Sequence, residues 1–141
     1  MIKAIGLVGL LMGLAGPSYA SGIAIGDSLA LGFGRASGMN TSARVGISSC
    51  MIRGYVPSRH YDTVLISAGT NDVPGKCVGQ IRQLVANRVH PSRVYWIIPV
   101  NQSRGNVLRV SAQWGDTSVF YVASRRRAVW PHPDHYYNVI K

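Results

Sequence analysis

Short apolar runs recur along this chain at intervals that few architectures accommodate. Ile23-Ala24-Ile25, Val45-Gly46-Ile47, Thr63 to Ala68, Val94 to Val100 and Val119 to Val122 lack the apolar–polar alternation of a strand with one wet face. They read instead as strands buried on both sides. Between the third and fourth runs, Val78, Ile81, Leu84, Val85 and Val89 recur at helical spacing, and Asn106 to Trp114 allows a second helix before the fifth. Strand, helix and strand in alternation predict a parallel sheet with right-handed crossovers, because parallel neighbours cannot be joined by a tight turn. Ligands of such sheets gather at the carboxyl ends of the strands, so the residues just after each run are where chemistry is to be sought.

Those residues are distinctive. Gly26-Asp27-Ser28-Leu29 closes the first run, Gly46 lies in the second, and Gly69-Thr70-Asn71-Asp72 follows the third. A serine on the turn after a buried strand, surrounded by backbone N–H groups, can be presented as a nucleophile toward a cleft. The same four residues also make an ordinary small-residue turn, and company further along the chain decides between the two. His132-Pro133-Asp134-His135-Tyr136 stands near the C-terminus and supplies a general base.

In order and spacing these segments resemble the SGNH (GDSL) hydrolases, a family of esterases, lipases and acyl-transfer enzymes, over Ile23 to Ile140. The resemblance implies a three-layer α/β/α sandwich around a central, mostly parallel sheet of about five strands, flavodoxin-like in form. It also implies roles. Ser28 would be the nucleophile, with its own N–H, that of Gly46 and the side-chain amide of Asn71 forming the oxyanion hole. His132 would be the general base and His135 its alternative. The G-x-S-x-G elbow of the α/β-hydrolases is absent, which argues against that other serine-hydrolase fold. The implied activity is hydrolysis of ester-linked, short acyl groups on a small ester or an acylated envelope substrate.

One position departs from the family pattern. An aspartate is expected three residues before the histidine, and Val129 stands there. Such an aspartate fixes the imidazole tautomer and stabilises the imidazolium, and losing its function in a serine protease costs about 10⁴ in turnover. Asp62, Asp116 and Asp134 are the remaining substitutes. Asp134 lies two residues after His132 and suits the first turn of a final helix from about Pro133 to Ile140. A Ser28–His132 dyad is the expected arrangement. The alternative is a catalytically degenerate protein of this fold that binds an anionic cell-envelope ligand without turning it over.

The first twenty residues have the form of a secretory signal peptide. A basic start at Lys3 precedes an uncharged run from Ala4 to Gly16, then Pro17-Ser18-Tyr19-Ala20. The run is shorter than the roughly 20 residues a bilayer span needs, so no transmembrane anchor is expected. Residues 21–141 then form one domain, exported to the periplasm or the medium. Cys50 and Cys77 would both reach an oxidising compartment, where an even count in a small chain points to a disulfide; two buried free thiols are the alternative. A bridge would tie the Gly46 loop to the Asn71 loop.

Fifteen Lys and Arg against five Asp, with no Glu, give a net charge of +10. Such a field draws anionic partners. The densest run, Arg125-Arg126-Arg127, reads either as a solvated loop or as a docking patch for an anionic lipid or polysaccharide surface. The arginines match no nucleic-acid reader, and no nucleic-acid partner is expected. Gly32 to Gly38 lacks the Gly-Lys-Ser/Thr ending of a P-loop and is expected to be a mobile connection. His132, Asp134 and His135 lack the further ligands of a tetrahedral metal site, while His60 and His90 read as loop residues. Neither a metal nor a cofactor is expected.

Overall fold

The structure, a computed structural model, describes residues 21–121. The expected export segment, residues 1–20, lies outside the described residues. So do Val129, His132, Asp134, His135, the Arg125-Arg126-Arg127 run and the expected final helix.

Strands β1 (Gly22–Gly26), β2 (Asn40–Ala43), β3 (Thr63–Ser67), β4 (Arg93–Ile97) and β5 (Thr117–Val119) alternate with four helices. These are α1 (Ser28–Ala36), α2 (Ser49–Ile52), α3 (Val78–Arg88) and α4 (Arg104–Trp114), with a 3-10 turn at Arg53–Tyr55. Every neighbouring pair is parallel and the order is β2-β1-β3-β4-β5, the flavodoxin-like order of doubly wound sheets. The expected three-layer α/β/α arrangement is the observed one.

Strand periodicity divides the apolar residues between two cores. Ile23, Ile25, Val64, Ile66, Val94 and Trp96 pack on one face with Ile52 of α2, Val78, Ile81 and Val85 of α3, and Val107 and Val110 of α4. Ala24, Leu65 and Ile97 turn to the other face, against Leu29, Ala30 and Phe33 of α1. The first connection leads outward from β1 to β2 and the later ones lead back across the sheet, so crossovers of one hand put α1 alone on its face among the described helices.

Several boundaries differ from expectation. The second strand is Asn40–Ala43, not Val45–Ile47, which form a turn with Val45 exposed and only Ile47 buried. Its residues are polar because β2 lies at the margin of the sheet and is half exposed, so the double burial that makes a continuous apolar run does not apply. β4 ends at Ile97, short of Pro99, whose missing N–H cannot extend a ladder. β5 begins earlier than expected, at Thr117, and ends at Val119.

The Gly32–Gly38 stretch is not a mobile connection: its first five residues belong to α1. A Cβ on Gly34 would lie 2.6 Å from Ala24 Cβ and 3.0 Å from Thr41 Cγ2. Glycine there lets the helix settle directly on β1 and β2, a packing role that outweighs its low helix propensity.

One buried ion pair fastens the far edge of the sheet. Arg82 of α3 donates from Nε to Asp116 Oδ2 at 2.7 Å and from Nη2 to Oδ1 at 3.1 Å, with both side chains under 10 % exposed. Trp96 Nε1 donates to the same Asp116 Oδ2 at 2.9 Å, and the guanidinium lies 4.2 Å over the Trp114 ring. Removing one partner of such a pair strands the other charge in the interior. Asp116→Ala is therefore expected to lose about 3–5 kcal/mol of unfolding free energy in urea titration, and Asp116→Asn, which keeps an acceptor, to lose less.

Candidate functional site

The site grows from the end of β1. Gly26 has φ +139°, and a Cβ there would fall 1.8 Å from the Ser67 carbonyl oxygen, so only glycine lets β1 close against β3 at this point. The Asp27 amide donates to Ser67 O at 3.1 Å and the Arg44 amide to Gly26 O at 2.9 Å, which pins the tip of β1 from both sides. Asp27 then caps α1 by accepting from the Leu29 amide at 3.1 Å. Ser28 is thereby fixed as the first helical residue. It is half-buried, and its amide is among those at a helix start that have no partner within the helix.

Asp27 itself is fully buried, and its Oδ2 has no hydrogen-bond partner. Burial pushes its carboxyl above the ordinary range. The Ser67 and Thr70 hydroxyls and the Leu29 and Ala30 amides draw it back only in part, since no hydroxyl closes a bond onto Oδ2. Tyr121 stands close enough to feel this group: burial raises its phenol first, and the Asp27 charge adds to the rise. Its ring meets Phe33 of α1 edge-on at 6.0 Å. The chain leaving β5 has thus reached the α1 face of the sheet, beside the residue that precedes Ser28.

Two further loops meet at this end. Asn71 donates from Nδ2 to Ile47 O at 3.1 Å, which sets its amide beside the Gly46 turn. Asp72 accepts at Oδ1 from the Ser49 amide (2.7 Å) and at Oδ2 from the Ser49 hydroxyl (2.5 Å), and the Cys77 amide donates to Ser49 Oγ at 3.1 Å. The expected disulfide is present: Cys50 and Cys77 are bonded with 4.9 Å between their Cα atoms, so the two loops are joined covalently as well. From behind, Asn101 Nδ2 donates to Gly69 O and Thr70 O, each at 3.1 Å, and Ser103 Oγ to Gly69 O at 2.7 Å.

Ser28 at the start of α1, and Gly46 and Asn71 on loops, therefore follow β1, β2 and β3 at the same end of the sheet. The boundary between β1 and β3 is where the connections reverse direction, the position at which doubly wound sheets bind ligands. A hydroxyl, backbone amides and a carboxamide thus stand at that end, groups whose chemistry suits nucleophilic attack and the binding of an anion. The proposed bases His132 and His135 lie outside the described residues. The other two histidines precede β3 and β4, at the opposite end. His60 Nε2 lies 3.0 Å from Asp62 Oδ1 and its Nδ1 3.1 Å from Val89 O, and His90 holds a left-handed turn with φ +53°. Asp62 and Asp116 also precede strands at that end, each already partnered. A depression of about 230 Å³ lined by Arg82, Arg93, Tyr95 and Trp114 lies there too, remote from Ser28.

The bracing set of Ser49, Asn101 and Ser103 and the burial of Asp27 are additions to what the sequence indicates. Asn101 and Ser103 carry one usable signal: small polar residues directly after a buried strand. Among the described residues, no helix is long and apolar enough to cross a membrane.

Two outcomes test this construction. A carboxyl raised in the folded state contributes stability that is present at low pH and lost as pH rises through the raised value. Asp27→Asn retains the cap but not the titration, so the melting temperature of the parent chain should gain on that of the variant as pH falls from neutral. A difference constant with pH would contradict the burial argument. Replacing both Cys50 and Cys77 by serine frees a loop of 27-residue separation and should cost about 3–4 kcal/mol in chemical denaturation on the loop-entropy scale. Comparison of the chain with protein-family models, curated proteins and solved structures finds no match.

Proposed function

We propose that this chain is an exported serine ester hydrolase of the SGNH kind, with Ser28 as nucleophile and His132 as general base. The observation that supports it best is the placement of Ser28, at the start of α1, at the same end of the sheet as the Gly46 and Asn71 loops, which the Asn71–Ile47 hydrogen bond and the Cys50–Cys77 bridge tie to each other. The disulfide accords with an oxidising compartment. His60 and His90 stand at the far end, and in this reading His132 is the base, with His135 in reserve.

In this reading Ser28 Oγ attacks the ester carbonyl carbon and passes its proton to His132. The oxyanion is held by the Ser28 and Gly46 amides and by Asn71, which uses its second N–H or releases Ile47 O. The tetrahedral adduct collapses as His132 gives the proton to the leaving alcohol. A water deprotonated by the same histidine then cleaves the acyl-serine and restores the enzyme. Asp62, Asp72 and Asp116 are each bonded elsewhere, so the imidazole is oriented by Asp134, by a backbone carbonyl or by water.

That commitment of the acids, together with Val129, favours a second reading: a binder of anionic envelope ligands that keeps the fold without turnover. Hydrolysis of p-nitrophenyl acetate separates the two. The parent chain should release nitrophenol, Ser28→Ala should not, and Asn71→Ala should lose about 10²–10³ in turnover, the usual effect of removing one oxyanion donor, while remaining folded with only the small loss of stability that one hydrogen bond accounts for. Activity equal in the parent and Ser28→Ala chains would remove the esterase reading and leave the binder.

A further inference from the structure

Six large apolar side chains are conspicuously exposed among the described residues: Val45, Met51, Val73, Val100, Trp114 and Phe120. They are not scattered. Val45 follows β2, Val73 follows β3, Val100 follows β4 and Phe120 follows β5, while Met51 lies in the short α2 that Asp72 and the disulfide hold at the same end. Five of the six, each 50–60 % exposed, thus rim the carboxyl end of the sheet, and only Trp114 lies elsewhere. A soluble fold gains nothing by gathering its exposed apolar groups at one end, and such clusters mark contact surfaces.

The charges between them are of one sign. Arg44, Arg53, Lys76 and Arg104 are exposed on the same segments, with Arg104 stacked 5.1 Å from the Phe120 ring. The acids of this end are withdrawn: Asp27 is buried, and both oxygens of Asp72 are bonded to Ser49. Apolar side chains inserted among exposed cations match a layer whose outer charge is negative and whose interior is hydrocarbon. A soluble polyanion would satisfy the cations but not the apolar groups. The chain's own residues 122–141 bring apolar side chains such as Trp130 and Ile140 but carry Arg125, Arg126, Arg127 and Lys141 against Asp134 alone, so they would match the apolar groups of the rim and not its charge.

We propose that this rim docks on the surface of an anionic phospholipid bilayer, with Val45, Met51, Val73, Val100 and Phe120 entering the headgroup boundary and Arg44, Lys76 and Arg104 meeting lipid phosphates. The proposal deepens the esterase reading and rests on it only for the consequence that Ser28 faces the lipid, which makes an acyl ester presented at the bilayer surface the substrate class.

Vesicle sedimentation tests it, with the full chain carrying Ser28→Ala so that capture is read without hydrolysis. Every protein compared has the same N-terminus, and the readout is the difference between them. Capture is expected on vesicles of phosphatidylcholine mixed with phosphatidylglycerol and not on phosphatidylcholine alone, and it should weaken as salt is added. Adding Arg44→Gln, Lys76→Gln and Arg104→Gln should weaken it about a hundredfold, the scale set by three cations at an anionic surface. Adding Met51→Ser, Val100→Ser and Phe120→Ser should weaken it roughly tenfold through the lost apolar contact. Val100→Ser alone, at the most exposed of these positions, should give a smaller loss in the same direction with the melting temperature unchanged. Absence of capture overturns the proposal. So does capture that the serine substitutions leave untouched, as binding by charge alone or burial of the rim under residues 122–141 would give. Failure of nitrophenyl-ester turnover bears on the esterase reading and not on this one.

Discussion

The parallel pairing of β1 with β3, in register from Gly22–Thr63 to Gly26–Ser67, is the constraint on which the other features depend. Neither strand follows the other in the chain, so the segment between them must leave the sheet, add β2 on the outer side and come back. That excursion creates the reversal in connection order. It leaves the segments after β1 and β3 at the same end of neighbouring strands, with no connection among the described residues crossing between them. The missing Cβ of Gly26 allows the two strand tips to meet, and the Asp27 amide closes the junction onto Ser67. Ser28 and Asn71 are set at the same end of two adjacent strands by this backbone geometry before any side chain is considered.

The parts of the fold legible in the sequence are those where burial is symmetrical. β1 and β3 are covered on both faces, which demands unbroken apolar runs, and α3 presents one face to the core, which demands a helical period. Where burial is one-sided or marginal the signal weakens. The polar Asn40–Ala43 strand is overshadowed by the apolar Val45 and Ile47 beside it, and the glycines of α1 suggest looseness where they in fact permit close packing. The positions of Ser28 and Asn71 after β1 and β3 were legible because those two strands were, whereas Gly46, expected within a strand, lies in the turn after β2. The clamp of Ser49 on Asp72 joins positions 23 apart and depends on how α2 returns to the sheet, which no local pattern records.

The electrostatics of the molecule follow from how its few acids are spent. Asp72 and Asp116 are each consumed by a specific structural partner, Asp62 pairs with His60, and Asp27 is held toward its neutral form by burial. Four acids among the described residues stand against the exposed arginines and Lys76, and one of the four is already neutralised by Arg82. The positive field is therefore a property of the folded surface and not merely of the composition. It acts equally on any anion that approaches, while the apolar rim acts on one class of surface only.

Among the described residues, both margins of the sheet are short. β2 offers four residues and β5 three, and the central strands, which are richest in apolar residues, have their ladders filled on both sides. An incoming strand from a second molecule would find few successive ladder positions, and at β2 it would meet the polar side chains of Asn40, Thr41 and Ser42. A chain that is nearly half hydrophobic by composition thus has little template for edge-to-edge growth. Crowding many copies side by side should consequently not seed a fibril through the margins of the sheet.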